Sequence, residues 1–257
     1  MARPPRSKQP DSVPPDSEAA FLSTYDATVF ERPSVAVDVV VLTAAKGELR
    51  VALYLRAEHP SKGRYALPGG FVRMDESLDD AAARVLRDKA GLTSVFIEQL
   101  YTFGEPKRDP RSRIIAVAYY ALVDPRRFDE IRVEKGARSA VVRVPWEGDE
   151  GGPVSVVDDA GRALPIAFDH AEILAMAVKR LRGKLDYSPV GFQLLPPAFT
   201  LRALQDVHET VRGGPVNKDS FRRRMLAGGL VVPTGEHEQD VEHRPAELYR
   251  FARKSAV

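Results

Sequence analysis

The sequence predicts an α/β layer domain followed by a small domain of two helices and a β-ribbon. Three observations carry this prediction. Between residues 35 and 187, strand-like runs rich in β-branched residues alternate with two amphipathic helical stretches. After Pro189 the pattern becomes helix, Gly-rich turn, helix, Gly-Gly, and two short apolar runs around a polar loop. The 257 residues, 44% hydrophobic and 29% charged, suffice for two modest cores.

Residues 1–20 hold Pro, Ser and charge with almost nothing to bury, which predicts a disordered tail. Val35–Leu42 is a nearly continuous β-branched run suited to a buried strand, and Leu49–Leu55 follows across a Lys46-Gly47-Glu48 turn. Glu58–Gly63 reads as a loop leading to the segment Tyr65–Val72. Ser77 and Asp80 make a capping box. Ala81, Val85 and Leu86 follow at helical spacing, and Gly91 stops the helix. Strands are expected at Val95–Phe103, Ile114–Val123 and Val141–Val144, with an acidic, Gly-rich loop at Glu147–Gly152. Asp169 is placed to cap a helix whose apolar stripe is Ile173, Leu174, Ala177, Val178 and Leu181, with Gly183 ending it.

In the second domain, Leu201, Leu204, Val207 and Val211 fall on one side of a helix over Thr200–Val211, which Gly213-Gly214 terminates. Asn217 caps a second helix, Lys218–Ala227, closed by Gly228-Gly229. Leu230–Val232 and Leu248–Phe251 pair around the loop Thr234–Pro245. This order of parts is that of a winged helix-turn-helix. The boundaries expected are a tail over 1–20, an α/β domain over 21–187 and the winged helix-turn-helix over 188–257.

Composition narrows the function classes. Cysteine is absent, so disulfides and thiolate metal sites are excluded. No apolar run approaches the roughly 20 residues of a membrane helix, and no apolar signal segment opens the chain. A cytoplasmic location fits. The net charge of +2 decides nothing about nucleic acid, so local clustering must carry that argument.

Gly70–Leu92 reads GFVRMDESLDDAAARVLRDKAGL. It resembles a Nudix box: Gly70, Glu76, Arg84, Leu86, Gly91 and Leu92 match in register, preceded by Leu67-Pro68-Gly69-Gly70. The resemblance implies a Nudix-like α/β/α sandwich with a mixed sheet. In Nudix hydrolases the glutamates after the box arginine gather Mg²⁺; here those positions hold Val85, Asp88 and Lys89. Residues i, i+3 and i+4 share an α-helical face, so the geometry of a metal site is expected to survive. Its chemistry is not. Val85 has no oxygen for a hard cation, and the Lys89 ammonium repels one by about 4 kcal/mol at about 4 Å and an effective dielectric of about 20. Without metal, a pyrophosphate is not polarised and no hydroxide forms. No metal site and no catalytic residue are therefore expected, the box positions Glu76, Arg84, Val85, Asp88 and Lys89 being degenerate. The alternative is a rebuilt site in which Asp75, Glu76, Asp79, Asp80 and Asp88 hold the ion differently, although Asp79 and Asp80 also suit a helix N-terminus.

A pocket can outlive its catalysis. Lys107, Arg108, Arg111 and Arg113 share one loop, with Arg56 and Arg64 nearby, and arginine forks suit diphosphate oxygens. Tyr65 or Phe103 is available to stack on a base, and Gly69 and Gly70 allow close approach. The same loop read from spacing alone is a solvated basic hairpin. What favours a ligand is that ADP-ribose-processing Nudix proteins carry a similar Gly-Glu-Pro, Arg-Asp-Pro stretch, here Gly104-Glu105-Pro106 and Arg108-Asp109-Pro110.

The helix Lys218–Ala227 carries the second candidate site. Phe221 and Met225 lie one turn apart and are expected to anchor on Leu204 and Val207. This leaves Asn217, Lys218, Ser220, Arg222, Arg223 and Arg224 to solvent. Arginine bonds guanine O6 and N7 in pairs, while Asn, Ser and Lys hold phosphates or base edges. Arg244, Arg250, Arg253 and Lys254 are placed to reach an adjacent backbone. Against this, Glu236, Glu238, Asp240 and Glu242 fall in the wing loop, and basic residues barely outnumber acidic ones over 188–257.

A degenerate Nudix box followed by a winged helix resembles the NrtR family, Nudix-related transcriptional regulators of NAD metabolism. The resemblance covers about residues 30–253, including the linker helix Phe168–Leu185 and the Leu194-Leu195-Pro196 entry to the second domain. It implies a homodimer that represses NAD biosynthesis or salvage genes, binds palindromic double-stranded operator DNA, needs no cofactor, and takes ADP-ribose or a related nucleotide as effector. Two other readings remain open at this level. One is an active ADP-ribose pyrophosphatase with an accessory C-terminal domain, which predicts Mg²⁺-dependent release of AMP. The other is a nucleotide-binding module whose last domain binds protein, which predicts no salt-dependent shift of promoter DNA.

Overall fold

The computed structural model describes residues 17–131, 137–148, 150–185, 187–239 and 244–252. The chain divides between Pro33 and Ser34 into two units. In the first, Ser17 accepts the Ala20 N–H and opens helix α1 (Glu18–Thr24). Phe21 and Tyr25, four residues apart, bring their rings to 5.4 Å. The tail expected over residues 1–20 thus gives way to a helix at Glu18, through a cap and a ring pair that composition alone conceals. The rest of that tail, residues 1–16, lies outside the described residues.

The second unit begins with strand β1 (Ser34–Ala45), joined to β2 (Glu48–Leu55) by Lys46 and Gly47 at φ 54 and 73°. Two left-handed residues match the twist of an antiparallel hairpin. The short strands β3 (Tyr65–Ala66) and β4 (Gly69–Phe71) follow. Helix α2 (Leu78–Val85) starts where Ser77 accepts the Asp80 N–H, and it continues as a π turn over Leu86–Ala90 that Gly91 closes at φ 68°. Then come β5 (Phe96–Phe103), β6 (Ile114–Leu122), the short helix α3 (Pro125–Asp129) under an Asp124 cap, and β7 (Ala137–Arg143). β7 starts before the predicted Val141 because pairing with β2 extends it through residues of modest strand propensity. The acidic loop expected at 147–152 contains a small hairpin, β8 (Trp146–Glu147) with β9 (Glu150–Gly151). β10 (Ser155–Val157) leads to helix α4 (His170–Lys184). Gly183 lies inside α4 rather than ending it.

The main sheet runs β10-β7-β2-β1-β6-β5, with β3 on β2 and β4 on β1. β1 and β6 are parallel and the other pairs antiparallel, so the sheet is mixed as predicted. The period-two alternation of β1 sends Val37, Val39 and Val41 to one face and Val40, Leu42 and Ala44 to the other. α2 and its π turn cover the first face with Ala81, Ala82, Val85, Leu86 and Ala90. α4 covers the second with Ile173, Leu174, Ala177, Val178 and Leu181, all at most 1% exposed. Burying each such Leu or Ile stabilises by about 1.5–3 kcal/mol. The result is an α/β/α sandwich.

A 3₁₀ turn, Pro189–Leu194, leads to α5 (Leu201–Arg212), α6 (Lys218–Ala227) and the ribbon β11 (Val231–His237) with β12 (Glu247–Phe251). Thr200 caps α5, Gly213 ends it at φ 75°, and Asn217 caps α6. Phe192, Phe199, Leu201, Leu204, Phe221, Met225, Val231 and Tyr249 form a separate small core. Val207 does not anchor α6 as expected. It and Val211 turn the other way, joining Val190 and Leu194 in the core beneath α4. α5 therefore serves two cores, and this seats the winged helix against the sandwich. Gly213 fits the seat closely: a Cβ there would stand 2.7 Å from the Trp146 ring. β11 reaches His237, so Glu236 belongs to a strand rather than to the wing loop. Asp240, Glu242, Arg253 and Lys254 lie outside the described residues.

Candidate functional site

A cleft of about 430 Å³ opens where β1, β2, β4, the 104–114 loop and the start of α4 meet. Of the residues expected to bind ligand, Arg56, Gly69, Gly70, Arg108 and Arg111 line it. Tyr65, Phe103 and Lys107 do not. Tyr65 packs against the core under α4 and its hydroxyl accepts from Arg138 at 3.0 Å. Phe103 packs on the same core and meets Tyr101 edge-on at 5.5 Å. Lys107 stands in solvent, and Arg64 turns to the Ile166 carbonyl. The aromatic groups on the wall are Tyr54, Phe71 and Phe168. The Arg56 guanidinium lies 4.7 Å from the Phe168 ring centre, and Arg111 lies 5.6 Å from Phe71.

The floor is a buried charge cluster. Arg108, its side chain 5% exposed, grips Asp169 with two bonds of 2.7 Å and reaches Asp38 at 3.4 Å. Burial alone would lower the Arg108 pKa, but Asp169 and Asp38 more than offset this and raise it. Asp169 is consequently not the side-chain cap of α4 that the sequence suggests; Arg108 has taken its oxygens. His170 Nδ1 accepts the Leu67 N–H at 3.0 Å, so its proton sits on Nε2, 3.7 Å from Asp38. Burial pushes the His170 pKa down, ahead of the opposing pull of Asp38, and keeps the ring neutral. Gly69 is required here: a Cβ would collide with the Asp38 carboxylate. Arg111 is likewise committed, bonding Asp109 at 2.8 and 3.0 Å and holding that carboxyl below its ordinary value.

Most of the box residues make structural contacts. Arg84 clasps Glu76 with bonds of 2.8 and 2.5 Å and also donates to the Phe71 carbonyl. The Arg84 bond drives the Glu76 pKa down to about 2. Val85 is 1% exposed and packs beneath Gly70. Asp88 pairs with Arg87 in solvent, whereas Lys89 lines the cleft. The shared face expected for Val85, Asp88 and Lys89 is not kept. A π turn holds more residues than an α turn, so a residue three positions on falls short of a full revolution. Among the carboxylates offered as a rebuilt site, Glu76 is held by Arg84, Asp79 accepts the Tyr119 hydroxyl and Asp80 accepts that of Ser77. Among the described residues, no three His, Cys, Asp or Glu side chains are grouped to hold a metal ion.

The other candidate surface is α6. Asn217, Lys218, Ser220, Arg222, Arg223 and Arg224 are all exposed, while Phe221 and Met225 are buried. The Asn217 side chain accepts the Ser220 N–H at 2.9 Å, and Arg224 lies over the Phe221 ring. Arg222, Arg223 and Arg224 form no ion pair among the described residues. Arg244 is also exposed.

Two domain profiles match the chain, a NUDIX domain over residues 32–146 and the NrtR DNA-binding winged helix domain over residues 191–251. The ADPR responsive transcriptional repressor NtrR of Acinetobacter baylyi is 34% identical over 238 residues, 92% of this chain and 89% of the relative. The chain belongs to the NrtR family. The structure of Shewanella oneidensis NrtR complexed with a 27mer DNA superposes with a TM-score of 0.70 at 34% identity, over 85% of this chain and 93% of that one. A MutT/nudix family protein from Enterococcus faecalis superposes at 0.74 with 27% identity, over 92% and 94% of the two chains. In this NrtR family member, sequence reasoning missed Asp38, Phe168 and His170. The signal for the first was present: a carboxylate in the middle of the otherwise apolar run VAVDVVVL needs a buried partner.

Proposed function

We propose that the chain is a transcriptional repressor that binds operator DNA through α6 and releases it on binding ADP-ribose in the cleft, without hydrolysing it. The observation that carries this reading is the row of exposed arginines, without an ion pair among the described residues, on the second helix of an NrtR winged helix. Three guanidiniums that make no ion pair among the described residues are available for base edges and phosphates. As a homodimer the protein reads a palindrome, its two recognition helices about 34 Å apart or a multiple of it. Asn217, Lys218 and Ser220 hold phosphate at the helix start, and Arg244 reaches the flanking backbone. The controlled genes are those of NAD biosynthesis or salvage, and the repressor works in the cytoplasm. No helix among the described residues is long and apolar enough to cross a membrane.

Loss of hydrolysis is supported by the fate of the box: Val85 is in the core, Asp88 is paired in solvent, and Glu76 is locked to Arg84. The link between sites runs along α4. Its first turn carries Asp169 and His170 at the cleft. Its last turn carries Arg182, 4.0 Å from the Trp146 ring that seats Gly213 of the winged helix. Fifteen residues make this a rod of about 22 Å. Ligand that favours one setting of this rod shifts the DNA equilibrium by its differential affinity, and the coupling is reciprocal. A gel-shift titration of DNA upstream of the protein's own gene, with and without ADP-ribose at several salt concentrations, tests the reading. The expected result is a salt-sensitive shift that ADP-ribose reverses. A shift indifferent to ADP-ribose, or none, overturns it.

A further inference from the structure

We propose that the Lys89 ammonium neutralises the ligand's diphosphate in the place of a metal ion, so that binding is independent of divalent cations. This rests on the reading of the cleft as an ADP-ribose site. A diphosphate entering a low-dielectric cleft must meet positive charge or keep its water. Nudix hydrolases supply that charge as Mg²⁺ held by box glutamates, and the groups at those positions do not fit an ion here. Val85 is apolar and buried, and Asp88 faces solvent beside Arg87.

The cations on the cleft wall differ in availability. Arg108 is spent on Asp169 and Asp38, and Arg111 on Asp109. Arg56 gives its Nε–H to the Pro60 carbonyl and stacks on Phe168, which fixes its plane but leaves its charge unpaired. Lys89 is exposed, lines the same cleft and has no acidic partner among the described residues. Its backbone is anchored, because the Tyr54 hydroxyl donates to the Lys89 carbonyl. A fixed Cα with a flexible four-carbon stem allows the ammonium to follow the phosphates. The π turn matters to this placement, since it brings residue 89 to the cleft while residue 88 leaves it. Glu58, also on the wall, is the one carboxylate there that no basic group answers among the described residues.

Calorimetric titration of the full chain with ADP-ribose, in EDTA and in MgCl₂, tests the proposal with three proteins: the unsubstituted chain, Lys89→Met and Lys89→Glu. The unsubstituted chain binds equally in both buffers. Lys89→Met keeps the stem and loses the charge, and it weakens binding about tenfold to a hundredfold in both, the worth of a charged hydrogen bond. Lys89→Glu reverses the charge and binds more weakly than Lys89→Met in both buffers. Circular dichroism of each variant establishes that it is folded. If the unsubstituted chain binds but Lys89→Met binds as tightly, or if binding by the unsubstituted chain needs Mg²⁺, the role of Lys89 is overturned while the ligand assignment stands. If the unsubstituted chain binds no ADP-ribose in either buffer, the ligand assignment itself falls.

Discussion

The cleft and α6 are both arginine-rich in sequence, yet their arginines are opposites in structure. In the cleft, Arg108 is buried between Asp38 and Asp169, Arg111 grips Asp109, and Arg84 behind the wall is locked to Glu76. On α6, Arg222, Arg223 and Arg224 stand in solvent with no acidic partner among the described residues. Desolvation explains the contrast. A guanidinium held in the interior must be paired, whereas one at the surface can wait for a polyanion. The first set builds and holds the site; the second is left available to a partner outside the molecule.

The largest effect should come from breaking the buried set. Arg108→Ala leaves Asp38 and Asp169 facing each other without a counter-charge, and we expect a loss of about 3–5 kcal/mol in urea unfolding. A loss under about 1 kcal/mol would mean that water already reaches the cluster. Next, Arg223→Ala should cost about 1–3 kcal/mol in operator binding by fluorescence anisotropy. Its unfolding midpoint and its ADP-ribose affinity should stay where they were; equal loss of DNA and ligand binding would show the two sites to be misassigned. Asn217→Ala removes the cap of α6 and should lower stability by about 1 kcal/mol. It should also weaken DNA binding through fraying of the helix start, visible as faster amide exchange there.

The smallest effect is in pH. Glu76 has its pKa depressed from an ordinary 4.5 to about 2 by Arg84. The contribution of this pair is fully present above the ordinary value and fades as pH falls toward 2. Glu76→Gln should flatten that part of the stability curve between pH 5 and about 2. An unchanged slope would separate Glu76 from the acid limb.

The sandwich was legible because β1 and β6 are apolar runs and because α2 and α4 repeat apolar residues at helical spacing. Caps at Ser77, Thr200 and Asn217 bind as their sequences indicate. Asp169 was misread because a long-range partner, Arg108, outbid the local backbone for its oxygens, and sequence spacing carries no record of such competition. The π turn at Leu86 escaped for a related reason. Its residues are ordinary helix formers, and only the resulting split between Asp88 and Lys89 reveals the wider turn. Val207 was assigned to the wrong core because an amphipathic stripe states which face is buried, not how many neighbours share it. In the cleft, glycines and arginines could be named in advance. The aromatic walls could not, because Tyr65 is held by Arg138 and the core under α4, Phe103 packs on Tyr101, and Phe168, in the loop before α4, takes the wall instead.

In the proposed mechanism this cleft holds ADP-ribose intact while α6 loses its DNA. One mixture tests it most directly: protein, labelled operator, ADP-ribose and MgCl₂, followed by anisotropy and then by chromatography of the nucleotide. The account predicts that anisotropy falls to that of free DNA and that the ADP-ribose is recovered whole. Accumulation of AMP and ribose 5-phosphate over many turnovers, or DNA that stays bound at saturating ligand, would contradict it.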